Sequence, residues 1–396
     1  ADVLRDLLLE TPPNVGGGIA ELLAAWKSGR RLAALPRDAQ RDVLDLFTIS
    51  AADWLDRWFE SEPIKACFGF DSVVGNFASP YTPGSAYVLL HHVFGEVNGK
   101  KGTWGHAVGG MGAITQAMRR EAEARGVAIR TGTAVERILS SGGRATGVAL
   151  ADGTEIGARC VVSNAHPQVL ARLLEGVPGE WREAFGHYQS ESATFRMNVA
   201  LSELPDFTCL PGAGPHLSSG IIMAPSLAFM DRAHATARED GWSREPIVEI
   251  LVPSTVDDSL APPGAHVASL FCQHFRHSLP GGRRWEDERE RAADAILAQV
   301  ARYAPNFPRS VIARRILSPQ DLERELGLVG GDIFHGKLGL NQLFSARPIL
   351  GHGNYRMPLA GVYLCGSGAH PGGGVTGIPG HNAAREVLRD RRRWSR

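Results

Sequence analysis

Glycine crowds one short stretch near the C-terminus, and that stretch limits what the chain can fold into. Gly361-Val362-Tyr363-Leu364-Cys365-Gly366 reads as a buried strand. Ser367 to Gly377 reads as a glycine-rich loop, and a helix is expected from about Pro379 or Gly380 toward Arg393. A strand, a glycine loop and a helix start in that order leave unpaired N–H groups pointing out of the helix end. Within the loop, Gly372-Gly373-Gly374-Val375-Thr376-Gly377 satisfies the letters GxGxxG. A dinucleotide fingerprint also needs a βαβ unit and an acid about twenty residues further on. The sequence stops at Arg396, so the reading here is a ligand-facing loop or a tight turn, not that fingerprint. Gly16-Gly17-Gly18 reads as a helix-start loop. Gly109-Gly110-Met111-Gly112 fails the fingerprint because Thr115 holds the third glycine position.

The clearest organised stretch lies between Trp104 and Asn164. A helix from Ala113 to about Arg125 is stopped by Gly126. Strands are expected at Val127–Thr131, Ala134–Leu139, Ala145–Leu150 and Glu155–Ile156, joined by the turn signals Ser141-Gly142-Gly143 and Asp152-Gly153. Arg159 to Ala165 closes the unit as another buried strand. Elsewhere, helical spacing marks Gly18–Gly29, Arg37–Glu60, Gln168–Leu174 and Trp285–Tyr303. Strands are expected at Ser192–Leu201, Ile247–Val252, Val267–Cys272 and Val311–Leu317. Tyr87–Phe94 is apolar and of either type. Leu204–Pro225, rich in Pro and Gly, is expected to be a long lid or binding loop.

Charge and composition exclude several functions. The 42 basic residues balance 42 acidic ones, which argues against a nucleic-acid footprint. Of the basic residues 5 are Lys and 37 Arg, a skew expected of a GC-rich bacterial genome. Five scattered cysteines form no CxxC pair, consistent with buried thiols in a reducing, cytoplasmic setting. His274 and His277 form an HxxH without the partners a metal site needs, so no metal is expected. No apolar run reaches the roughly 18 residues of a membrane span. No GxSxG nucleophile elbow occurs.

The tail from Tyr363 to Val375, Leu-Cys-Gly-Ser-Gly-Ala-His-Pro-Gly-Gly-Gly-Val in its later part, closely resembles the C-terminal flavin motif of the phytoene desaturase-like FAD oxidoreductases, which are themselves amine oxidase-like. Trp58-Phe59-Glu60-Ser61-Glu62-Pro63, Ser79 to His92, Gly109 to Gly112, Leu260-Ala261-Pro262-Pro263-Gly264 and Gly330 to Gly336 are similar to the same family. The resemblance implies an α/β fold of α+β character. It pairs a Rossmann-like FAD-binding domain of glutathione-reductase type with a mixed α+β substrate domain. Residues 103–167 and 345–396 would form the FAD domain, 168–344 the substrate domain, and 1–102 its helical part. The family's N-terminal βαβ unit is expected to be absent from this chain and to be supplied, if at all, by a fragment in cis or trans.

The resemblance also assigns roles. Val135 would lie on the strand whose backbone meets the adenine, and Gly366 and Ser367 beside the ribityl and pyrophosphate. Gly374, Val375, Thr376 and Gly377 would open the helix aimed at the flavin pyrimidine ring. Gly109, Gly110 and Met111 would approach the ring closely. His370 lies in the motif, shaping the loop or facing the flavin. No catalytic base is evident. The activity implied is FAD-dependent removal of a hydride from a C–H bond of an apolar or amphipathic small molecule. The rival reading is a cofactor-less homologue that acts as an interaction scaffold. Oligomeric state is not readable from the sequence.

Overall fold

Glycine turns set the local order of the N-terminal half. The structure, a computed structural model, describes every residue except Val15, Gly176, Ser395 and Arg396, so the last two positions of the expected terminal segment lie outside the described residues. Its contacts divide the chain into two units. One comprises Ala1–Phe47, Arg130–Ser190 and Ile333–Arg396; the other comprises Thr48–Ile129 and Glu191–Asp332.

In the first unit, strand Val135–Ser141 pairs antiparallel with Arg144–Leu150, which pairs in turn with Glu155–Gly157. Gly142 and Gly143 between the first two strands both have positive φ, 56° and 75°. A two-residue turn that matches strand twist requires this of both positions. Gly147 is forced by close approach instead: a Cβ there would lie 2.2 Å from the Ile156 carbonyl oxygen. Val161–Ser163 pairs in parallel with Val362–Leu364, joining segments far apart in sequence. Leu170, Leu174, Trp181, Phe185, Tyr355 and Leu364 bury a core around this pair.

The second unit is built on a five-stranded antiparallel sheet. Its order is Val311–Leu317, Thr194–Leu201, His266–Phe275, Trp242–Leu251, Ile221–Met223. Alternation fixes the faces. Phe195, Met197, Val199 and Leu201 point with Leu270, Cys272, Val248 and Ile250 into one core, against Ala292, Ala293, Ile296 and Val300 of helix Trp285–Ala301.

Several expectations are corrected. Val127–Thr131 is not a strand; no described segment pairs with it, and an unpaired strand leaves its N–H and C=O groups without partners. The stretch expected as one helix over Arg37–Glu60 breaks into Arg37–Thr48 and Ala51–Asp56. Ser50 starts the second piece, its hydroxyl accepting from the Asp53 N–H. Tyr87–Phe94 resolves into helix Ser85–His91. Leu204–Pro225 is not one long loop, because it holds a 3-10 turn at Pro215–Ser218 and strand Ile221–Met223. Helices Leu227–Asp240 and Pro319–Leu326 went unread. The first is capped by Ser226 and ended by Gly241 at φ 88°; the second begins in a Ser318–Asp321 capping box. No described helix is long and apolar enough to cross a membrane.

Candidate functional site

The glycines of the C-terminal loop divide by cause. Gly366, Gly368 and Gly373 are glycine because protein fills the space a side chain would need. A Cβ would lie 2.4 Å from the Asn164 carbonyl oxygen at Gly366, 2.5 Å from Pro167 at Gly368 and 2.4 Å from Phe334 at Gly373. Gly374, Val375, Thr376 and Gly377 are different, for all four are exposed. Gly374, Val375 and Gly377 have φ of 138°, 56° and 70°, and open space faces Gly377. The N–H groups of these four residues donate to no described residue. They lead directly into helix Ile378–Trp394, whose first N–H is held by the Thr376 hydroxyl at 3.2 Å. Successive free amides at the start of a 17-residue helix form an anion-attracting concavity.

Behind the loop lies a buried charge. Arg347 is 0% exposed. Its guanidinium donates to the Ser367 carbonyl at 2.6 and 3.2 Å, to Phe334 O at 2.9 Å and to Gly336 O at 3.2 Å. No carboxylate of the described residues pairs with it. His166 and His335 stand nearby, with ring centroids 5.5 Å apart. Burial, then His335 and Arg347, drive the His166 imidazole down to about 3. Burial and Arg347 also lower His335. His166 Nδ1 accepts from the Gln168 N–H, so its Nε2 carries the proton and faces Ser190 Oγ at 3.0 Å. His335 Nδ1 is buried without a partner. His370 is committed elsewhere: its Nε2 lies 3.1 Å from the Leu7 carbonyl, so it donates there, and burial lowers it to about 4. That contact anchors the loop to the N-terminal segment. Val135 lies on the first strand of the meander, paired with Leu150 and half exposed. Ser367 contributes its carbonyl to Arg347.

Gly109, Gly110 and Met111 belong to the second unit. Gly109 and Gly110 have φ of 83° and 82°, a conformation that explains both glycines without any ligand. The Gly109 N–H is held by Asp257 at 2.6 Å. Met111 is 65% exposed. The second unit also holds a group that sequence reading missed. Arg196, Phe271 and Glu249 share one rung across three strands. The Arg196 guanidinium lies 5.0 Å from the Phe271 ring centroid and donates to Ser269 Oγ. Burial, with help from Asp71, lifts the Glu249 carboxyl to about 7, and burial alone lifts Asp71 to about 7. Neither carboxyl has a hydrogen-bond or ion-pair partner among the described residues. The HxxH histidines do not converge: His274 is buried against Phe77, while His277 Nε2 meets a Glu323 carboxylate oxygen at 2.5 Å.

This geometry fits part of a flavin site. Four open amides at a helix start, with a cation behind them, suit an electron-rich or anionic ring. Comparison with known proteins agrees. The family model described as flavin containing amine oxidoreductase matches residues 4–194. Pyridine nucleotide-disulfide oxidoreductase domain-containing protein 2 of Mus musculus is 44% identical over 384 residues, covering 94% of this chain and 65% of that protein. The lycopene-forming phytoene desaturase of Paracoccus sp. is 29% identical over 318 residues, covering 76% and 57%. Among solved structures, an oxidoreductase from Methanosarcina mazei superposes with a TM-score of 0.54 at 17% identity, over 90% of this chain and 74% of that one. This likeness extends to the α/β fold with mixed sheets. The chain thus spans about two thirds or less of the curated relatives it matches. In sequence the chain is similar to the flavin containing amine oxidoreductases and, more distantly, to the phytoene desaturases.

Proposed function

We propose that this chain serves FAD-dependent oxidation in which a hydride is taken from a C–H bond of an apolar or amphipathic small molecule. The observation that carries the reading is the run of four unpartnered, exposed amides at Gly374–Gly377 opening the terminal helix. Bound FAD would supply the hydride acceptor. The residues of this chain that would hold it are those amides, with Gly366 and Ser367 behind them and Val135 on the meander. The helix start favours negative charge on the ring, and the αL geometry of Val375 and Gly377 keeps the backbone, not side chains, toward the ligand.

In this reading, residues 103–167 and 345–396 serve the cofactor and 168–344 the substrate, in a fold of glutathione-reductase type. The free cysteines support a reducing, cytoplasmic location. The arginine skew is a weak guide to source, given a mouse relative at 44% identity. The test is anaerobic mixing of the flavin-loaded protein with panels of apolar and amphipathic substrates. Bleaching of the flavin band by at least one panel supports the reading. A chain that stays colourless after reconstitution favours the scaffold reading instead.

A further inference from the structure

Among the described residues, no carboxylate forms an ion pair with the buried Arg347 guanidinium. A guanidinium keeps its proton throughout the range in which proteins survive. Buried charges are ordinarily paired, because an isolated one costs several kcal/mol. Here the partners are the carbonyls of Phe334, Gly336 and Ser367. These satisfy the N–H groups and leave the charge in place. The neighbours respond accordingly, with His166, His335 and His370 all held neutral, burial first and Arg347 adding to it. The positive charge thus sits beside the loop without an ion-pair partner among the described residues, and the loop's free face carries four open N–H donors.

The orientation of Arg347 narrows what the charge is for. Arginine recognises phosphate by forking two N–H groups directly onto it. Arg347 has turned its donors onto carbonyls and is fully buried, so it acts on a ligand through its field alone. A field distinguishes charge states, which matters most for a ligand whose charge changes in use. We propose that Arg347 is a positioning residue that clamps Ser367 and, through its buried charge, makes the 366–377 loop favour reduced, anionic flavin over oxidised flavin. This rests on the flavin reading above.

The experiment compares wild type, R347K and R347M, with R347Q replacing R347M if the latter does not fold. Each is reconstituted with FAD and, separately, with riboflavin. Two readouts follow charge near the ring: the flavin midpoint potential, and the affinity for sulfite, which adds to oxidised flavin and leaves it anionic. In R347M, sulfite affinity should fall about tenfold and the potential by about 30 mV, the equivalent for a two-electron couple. Affinity for oxidised FAD should change by no more than about threefold. R347K should stay close to wild type, and riboflavin should behave as FAD does. NMR titration of the apo chain should show His166 and His335 titrating at higher pH in R347M. Unchanged sulfite affinity and potential in flavin-bearing R347M would overturn this proposal alone. An effect with FAD and none with riboflavin would assign the charge to the diphosphate and overturn it too. A wild-type chain that holds no flavin overturns both this proposal and the flavin reading.

Discussion

Val375 is a β-branched residue at φ 56° with 77% of its surface exposed. That conformation costs an L-residue roughly 1–2 kcal/mol, and so little burial returns almost nothing. Val375→Gly should therefore raise the chain's unfolding free energy by about 1 kcal/mol in urea melts. It should also weaken FAD binding, since a freer loop must be ordered when the ligand arrives. A destabilised V375G would mean that the side chain has a packing role the structure does not give it. Asp71 and Glu249 allow a test with a defined sign. Folded, both carboxyls titrate near 7; unfolded, they titrate near 4. Between those values the folded chain binds the extra protons, so stability falls as pH rises from about 4 to 7 and is level above. The double variant Asp71→Asn, Glu249→Gln should gain several kcal/mol more over wild type at pH 8 than at pH 5. A gain equal at both values would show that the two carboxyls are not raised into this range in the folded chain.

Among the elements, Gly366 and Gly377 separate structure from binding. A methyl at Gly366 would strike the Asn164 backbone where Val161–Ser163 meets Val362–Leu364. Gly366→Ala should cost about 2–3 kcal/mol without any ligand, measured by denaturant unfolding of the apo chain. Gly377→Ala meets open space but an unfavourable φ, so it should cost about 1 kcal/mol and fall mainly on FAD affinity. If the two variants lose the same stability, the division of the loop into packed and open halves is wrong. The legibility of the elements follows the same physics. Trp285–Ala301 was readable because its four-residue spacing reflects one buried face. Val127–Thr131 looked like a strand by composition, yet strand formation depends on a neighbour, which a local window does not contain. Helix Leu227–Asp240 was hidden by an apolar run continuous with strand Ile221–Met223. Its caps, Ser226 and Gly241, were the signal that could have exposed it.

At the scale of the whole molecule, the candidate site was legible where it depends on backbone and hidden where it depends on contacts. The loop Gly366–Gly377 announced itself through glycine spacing. Arg347 did not, because one arginine among 37 acquires meaning only when its burial is known. Asp71 and Glu249 are far apart in sequence and influence each other only through the fold. His370 was read from its motif as loop-shaping or flavin-facing; the structure engages its Nε2 with Leu7. The central claim is that the chain holds FAD at the open amides of Gly374–Gly377. Its most direct test is to incubate the purified chain with FAD, remove free flavin by gel filtration and record the spectrum of the protein peak for wild type and for Gly377→Val. The account predicts a structured flavin band co-eluting with wild type near one FAD per chain, and its loss from a Gly377→Val chain that still unfolds cooperatively. A colourless wild-type peak, or equal flavin in both, would contradict it.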